Sequence, residues 1–411
     1  MSTLGTSRGY APTRGGRLAA PAPVQRNWSD GLRIWWREID KVLLALILLL
    51  MALGVVAVAA ASPASAEQLS TRSVRLDEFM FLKRHILFQL AGIVGMIGIS
   101  FASRDDARRL GIIVGAIMLV LLVLVPIIGP VKNGARRWIE VGISVQPSEF
   151  MKPAFAIILA WVLSWRLRDP GLPVITFATV MLGVIAALLM AQPNLGDTIL
   201  FAGIWFVMVL LAGVSVQRIG ALMGVGVAGL TLAYFLYDNA RHRIDSFLGG
   251  GTAFDQVDLA QRTLMAGGWT GSGLWLGIRK MNLPEAHTDY IFSVIGEEFG
   301  LIACGVIVLI YCGIVVRVLM RLVDEENLFA LLAGAGLITQ FGGQAFINIL
   351  VNLQLFPSKG MTLPLISYGG SSTLAVCFTL GLLLAITRRN PFLAKEGRGL
   401  RGLLDSKEER P

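Results

Sequence analysis

The chain has 411 residues, 55% hydrophobic and 15% charged, with a formal net charge of +9 and a mean hydropathy of +0.68. Soluble proteins carry about 25% charged residues; the deficit here falls in long apolar runs, which excludes an ordinary soluble enzyme and points to an all-α polytopic membrane protein. Cys304, Cys312 and Cys377 lie inside such runs without metal or disulfide spacing, and read as small hydrophobes at helix interfaces.

Residues 1–27 are rich in Gly, Ala, Pro and Arg, and the stretch 1–40 reads as a disordered basic tail. Val42 to Ala61 is then free of charge over twenty residues, enough to cross a hydrocarbon core of about 30 Å at about 1.5 Å per residue. Ala64-Ser65-Ala66 resembles a signal-peptidase site. The basic stretch and the apolar run before it are both too long for a signal peptide, so this helix reads as retained. Further apolar runs fall near 85–103, 110–128, 150–165, 172–191, 198–212, 219–237, 290–316, 328–350 and 372–387. Ten spans are therefore expected in a membrane domain of residues 41–390, followed by a tail over 391–411.

An even number of spans puts both termini on one side. Arg104, Arg108, Arg109, Arg166, Arg317 and Arg321 in short loops, with both basic tails, make that side cytoplasmic. Some cations break the rule. Lys132, Arg136 and Arg137 fall on the outer side, in the loop KNGARRWIEVGISVQPSEFMK. The large outer loop between the seventh and eighth spans, about 238–289, adds Arg241, Arg243, Arg262, Arg279 and Lys280, and Lys359 sits in the last outer loop. Cations placed against the topological rule suggest an anionic ligand at that face; the plain alternative is loops that tolerate charge.

The stretch LPEAHTDYIFSVIGEEFG (283–300) holds the densest set of candidates. Asp289 sits where the eighth span should begin, and Asp289, Ser293, Gly296, Gly300 and Ala303 fall on one helical face. A carboxylate above a stripe of small residues suits a groove for an acyl chain; a helix cap over glycine-based helix packing explains the pattern equally well. Glu297 and Glu298, deeper in the span, need partners that spacing does not supply. Glu149 and Lys152 are three apart, which allows an ion pair that anchors the helix or aims Lys152 at a phosphate. Gln340, Gln344 and Asn348 make a polar stripe in the ninth span, best read as interhelical hydrogen bonding. The following segment, FPSKGMTLPLISYGGSS, mixes Pro, Gly and Ser and has the character of a re-entrant loop. GSGLWLG is neither a Walker loop nor a dinucleotide fingerprint, and His85, His242 and His287 are too scattered for a metal cluster.

Five ordered pieces, NGARRWI (133–139), QPSEFMK (146–152), QPNLG (192–196), PEAHTDYIFSVIGEEFG (284–300) and LPLISYGGSS (363–372), resemble the SEDS family (shape, elongation, division and sporulation) over roughly residues 42–390. PEAHTD, ISYGGSS and the long basic tail are more similar to the cell-division branch than to the elongation branch. The resemblance implies a multi-pass protein of the bacterial inner membrane, at the division septum. It implies a glycosyltransferase that polymerises lipid II beside a class B penicillin-binding protein and other division proteins. It assigns Asp289 as the catalytic residue and places Arg136, Arg137, Glu149, Lys152, His287, Thr288, Lys359 and Ser371 among the substrate-binding positions. Two departures stand out: Asn194 replaces a frequent Asp, with Asp197 three residues on, and Gly271-Ser272-Gly273 replaces a frequent Gly-Lys-Gly.

The chemistry expected from that resemblance is direct displacement with inversion at the anomeric carbon. Asp289 would act as base, and Lys152, Arg136, Arg137 and Lys359 would hold pyrophosphate oxygens. A divalent cation (Mg2+ or Mn2+) ligated by Asp289 or Glu149 would suit the same site. A lipid II flippase and a non-catalytic scaffold for the transpeptidase are the readings of other classes.

Overall fold

The computed structural model describes residues 28–71, 75–132, 135–167, 169, 171–236, 241, 245, 256–357 and 360–389. Residues 1–37 and 38–411 form two units. Helix α1 (Trp28–Glu38) begins in the first. The second runs through α2 (Lys41–Leu69), α3 (Met80–Ser100), α4 (Arg104–Ile128), strands β1 (Val131–Lys132), β2 (Ala135–Arg136), β3 (Ile139–Val141) and β4 (Ile143–Val145), then α5 (Pro147–Ser164), α6 (Val174–Met190), α7 (Leu195–Leu211), α8 (Val216–Leu236), α9 (Gln256–Ala266), α10 (Ile291–Leu322), α11 (Leu328–Asn352) and α12 (Gly370–Thr387). The strands pair as two antiparallel hairpins, β1–β2 and β3–β4. The expected tails at 1–27 and 391–411, and Asn133, Gly134, His242, Arg243 and Lys359, lie outside the described residues.

Helices coincide with all ten apolar runs. Six of them, α2, α3, α4, α10, α11 and α12, are long and apolar enough to cross a membrane. The helix starts follow local chemistry. Ser103 caps α4 by accepting from the Asp106 N–H, Asn327 caps α11 through the Ala330 N–H, and Pro147 opens α5 at the position that has no partner for an N–H. Helix α12 is buried along most of its length and packs chiefly on α3. A Cβ at Gly92 of α3 would lie 2.5 Å from Cys377 Sγ, so the two helices can approach only where a side chain is missing. Cys304 and Cys377 are buried as expected. Cys312 is not: it is exposed on α10.

The glycine face expected on the eighth span does not continue as regular helix. Gly300 has φ +82° and ψ 172°, and α10 breaks there. The segment after α9 fills the break: the Leu301 and Ile302 N–H groups donate to the carbonyls of Gly268 (2.9 Å) and Trp269 (3.2 Å), while Ser272 and Gly273 N–H donate to Glu297 O (2.8 Å) and Glu298 O (3.0 Å). Gly296 faces Leu264 of α9, where a Cβ would sit 2.3 Å from Leu264 Cδ1. The small residues therefore serve close backbone packing, and the groove reading for this stripe fails.

The same segment supplies the partners that Glu297 and Glu298 need. Glu297 accepts from the backbone N–H of Arg279 (2.7 Å) and Lys280 (2.9 Å). Glu298 accepts from the N–H of Trp275 and of Gly277 (3.3 Å) and forms an ion pair with the buried Lys280. At the other end of α10, Arg317 Nε and Arg321 Nε lie 2.8 Å and 2.7 Å from Asp40 Oδ2. Asp40 Oδ1 accepts from Val42 and Leu43 N–H and so caps α2.

Burial raises the Asp40 pKa, but the hydrogen bond from Arg317, the Leu43 N–H and the two guanidinium charges outweigh it and hold the carboxyl below its ordinary value. Its stabilising effect is present above the unfolded value and is lost as pH falls through the folded one. Asp40→Ala should cost about 1–2 kcal/mol of stability, read by thermal unfolding of the purified protein, and the difference from wild type should shrink in acid.

Candidate active site

Segments far apart in sequence converge on one cavity of about 1050 Å³, at the upper end of the roughly 300–1,000 Å³ typical of ligand pockets. Its walls include Arg84, Leu87 and Phe88 of α3, Arg137, Trp138 and Ser144 around the hairpins, Gln146 and Glu149 at the start of α5, Glu285, Thr288 and Asp289, and Gly360, Thr362 and residues 368–372.

Asp289 lies two residues before α10, in a turn, and Tyr290 at the cap position makes no side-chain capping bond. The cap position of α10 is thus Tyr290, one residue after Asp289. Its turn is built from Glu285, at φ +54°, whose carbonyl accepts from the N–H of Thr288 (3.1 Å) and Tyr290 (3.3 Å) and whose carboxylate accepts from the Thr288 hydroxyl at 2.7 Å. The main-chain carbonyl of Asp289 is held from below by two α11 amides, Asn348 Nδ2 at 2.8 Å and Asn352 Nδ2 at 3.2 Å. Asn348 also donates to Met361 O at 2.6 Å, and Asn352 accepts from the N–H and hydroxyl of Ser293 at 3.2 and 2.7 Å. A Cβ on Gly360 would stand 3.4 Å from Asp289 Oδ2 and 3.8 Å from an Arg137 guanidinium nitrogen. Carboxylate and guanidinium thus face the same small gap in the wall.

The polar stripe of α11 reaches neighbouring helices at Gln340 and Gln344, bonds irregular backbone at Gln344 and Asn348, and runs one turn further to Asn352. Gln340 accepts from Thr379 at 3.1 Å, Gln344 donates to Thr362 O at 3.1 Å, and Asn348 and Asn352 carry the loops just described. Segment 361–367 is buried and irregular, in line with its re-entrant character. It is stitched down by Tyr311 to Pro364 O (2.5 Å) and Gln89 to Leu365 O (3.0 Å).

Glu149 and Lys152 do pair, at 2.7 Å, and the pair belongs to a larger cluster. Lys152 is fully buried and also reaches Asp197 Oδ1 at 3.0 Å and Gln344 Oε1 at 3.4 Å. Asp197 accepts further bonds from Ser148 (2.8 Å) and Asn194 (2.7 Å). An amide at position 194 can donate to Asp197; a carboxylate there would repel it, which gives the family departure a local reason. Glu149 borders the cavity but Lys152 does not, so the phosphate-binding expectation for Lys152 gives way to an anchoring role.

The other expected residues divide. Arg137 lines the cavity, with Nε on Gln192 O at 3.1 Å and a second bond to Pro193 O. Arg136 is exposed, donates to Ile127 O at 3.1 Å and Pro126 O at 3.4 Å at the end of α4, and stays outside the lining. Thr288 and Ser371 line the cavity, although the Ser371 hydroxyl is engaged with Ser144 O at 2.7 Å. His287 stands behind the wall, its ring 4.2 Å from Phe81 and 5.5 Å from Tyr368. Arg84 and Glu285 were missed. Lys83-Arg84, at the end of α3 for which the sequence predicts the outer side, is basic against the positive-inside rule, and that signal was legible. Among the described residues no three His, Cys, Asp or Glu side chains gather as a metal site.

Lys152→Met should leave two buried carboxylates without their cation and destabilise the protein by about 3–5 kcal/mol, measured as lost yield and a lower melting temperature. Burial pushes the His287 imidazole down to about 4, with Glu285 opposing it. The unfolded chain then takes up the proton first, so His287 weakens the fold as pH falls from about 6.5 toward 4. His287→Phe should flatten that part of the stability–pH curve.

The family described as cell cycle protein, which takes in FtsW, RodA and SpoVE, matches residues 40–391. The chain is 38% identical over 362 residues to the probable peptidoglycan glycosyltransferase FtsW of Caulobacter vibrioides, covering 88% of this chain and 92% of that protein. It is 35% identical over 384 residues to the namesake of Burkholderia thailandensis, covering 88% and 81%. Among solved structures, a chain from a peptidoglycan synthase complex that coordinates polymerization and crosslinking aligns with a TM-score of 0.68 at 26% identity, covering 86% of this chain and 98% of that one. The rod shape determining protein RodA of Thermus thermophilus aligns with a TM-score of 0.63 at 25% identity, covering 86% and 97%. With a match over nearly the whole membrane region, this chain belongs to the FtsW/RodA/SpoVE family.

Proposed function

We propose that the chain is a peptidoglycan glycosyltransferase of the FtsW type that polymerises lipid II into glycan strands. The observation that carries the reading is Asp289, held by its backbone on α11 and sharing one cavity with the guanidinium groups of Arg137 and Arg84. An acceptor sugar hydroxyl gives its proton to the Asp289 carboxylate while its oxygen bonds to the anomeric carbon of the donor. The bond from that carbon to the diphosphate breaks with inversion, and polyprenyl diphosphate leaves. Arg137 and Arg84 line the cavity and offer N–H donors to the departing phosphate oxygens; Thr288 in the same lining is a further proposed substrate contact, and Lys359, outside the described residues, keeps its proposed role in binding phosphate. Two further carboxylates border the cavity, but Glu285 is bonded to Thr288 and Glu149 to Lys152. We propose Asp289 as the base because its carboxylate and the Arg137 guanidinium face the same gap in the cavity wall, and we propose single displacement with it. Asp289 would be the residue to hold a divalent cation (Mg2+ or Mn2+), which would supply positive charge to the leaving diphosphate; Glu149 is already paired with Lys152.

The finer topology follows the same reading. All ten apolar helices cross the bacterial inner membrane, with tails 1–40 and 391–411 cytoplasmic and the cavity facing outward, at the division septum. A class B penicillin-binding protein is the proposed partner, with other division proteins around it. Glu297, Glu298 and the α11 stripe, the polar residues within the spans that a transport path would draw on, are engaged in internal hydrogen bonds.

Asp289→Ala, purified with its partner and supplied with lipid II in detergent, should polymerise about 10²–10⁴-fold more slowly; normal glycan polymers would defeat the assignment. Arg84→Gln should weaken substrate use by about 1.5–3 kcal/mol, roughly ten- to a hundredfold in kcat/KM, without changing the melting temperature.

A further inference from the structure

The segment that fills the break in α10 has an outward surface that nothing so far explains. Met265, Trp269, Trp275, Leu276 and Ile278 are exposed large apolar residues, the last at 77%. In a loop standing in water such a patch would be costly and sticky.

Depth decides what covers it. Gly300, against which the Trp269 carbonyl and Gly271 N–H pack, lies seventeen residues along α10 from Arg317 at its cytoplasmic end, or about 25 Å at the helical rise. A hydrocarbon core is about 30 Å thick. The second helix agrees: Trp275 Nε1 and Lys280 Nζ donate to the carbonyls of Ala59 and Ala60, eighteen and nineteen residues beyond Lys41 in α2, or about 27–28 Å. By both measures the segment sits at and just inside the outer boundary of the hydrocarbon. Its patch is continuous with exposed apolar residues of α10, Ile302 and Val306, and the Ile302 N–H is the one that bonds Trp269 O.

Irregular backbone is tolerated at that depth only where its polar groups are satisfied by protein. Here Glu297 and Glu298 accept four of its N–H groups, and Lys280 is neutralised by Glu298. Two tryptophans at the boundary match the aromatic belt of membrane proteins.

We infer that residues 265–281 form a membrane-dipping element whose outer surface is covered by phospholipid acyl chains of the outer leaflet, and not by water or a partner protein. Buried carboxylates of α10 hold its inner side.

The test uses the full chain in nanodiscs, with Cys304→Ala, Cys312→Ala and Cys377→Ala as background. Leu276→Cys and Ile278→Cys should react with a membrane-impermeant maleimide on the order of tenfold more slowly than the exposed control Lys83→Cys, because hydrocarbon suppresses the reactive thiolate. A bimane at either position should be quenched by phosphatidylcholine brominated on its acyl chains. Labelling as fast as the control, without bromine quenching, would overturn the inference. So would protection that appears only when a penicillin-binding protein is added. If either cysteine variant fails to fold, the difference in tryptophan quenching between wild type and Trp269→Phe in the same brominated lipid gives the same reading.

Discussion

The site rests on hydrogen bonds from α11 to irregular backbone. Gln344, Asn348 and Asn352 repeat every fourth residue, so they stand in one row and meet loops that have no ladder of their own. A buried carbonyl without a partner is costly in a low-dielectric interior. The row meets that demand for Asp289, Met361 and Thr362 together. Two chain segments some seventy residues apart are thereby fixed to one rigid helix, and the cavity lies between them. Asn352 adds a cap for α10 through Ser293, so the helix that follows Asp289 is held by the same row.

Buried charge is handled in a second, separate way. Lys152 bridges Glu149 and Asp197 under the cavity floor, and Lys280 meets Glu298 beside the break in α10. Each lysine is fully buried and each has carboxylate partners. Such clusters add little net stability over apolar packing but are expensive to break. Their value lies in register: α5, α7 and α11 can meet around Lys152 in one way only. Arg84 and Arg137 line the cavity and carry guanidinium forks suited to phosphate oxygens.

Close approach accounts for the remaining constraints. At Gly92 and Gly296 a single added carbon would collide with a neighbour, and at Gly300 it would also face a left-handed backbone. These glycines set the spacing on which the α3–α12 and α9–α10 contacts depend.

The sequence by itself determined much of this architecture. Uncharged runs long enough for a bilayer give helices whatever the context, because a spanning backbone must satisfy itself. The i, i+3 pair Glu149–Lys152 and the i, i+4 stripe of α11 follow from helical geometry alone, and five ordered motifs carried the family. Tertiary structure decided the rest. Asp197 as a second partner of Lys152, the backbone partners of Glu297 and Glu298, and the presence of Arg84 in the same cavity as Asp289 all join residues distant in the chain. Periodicity carries no information about such contacts. The break at Gly300 shows why: helical spacing assumed the turn would continue, and hydrogen bonds from residues 268–273 made interrupting it favourable.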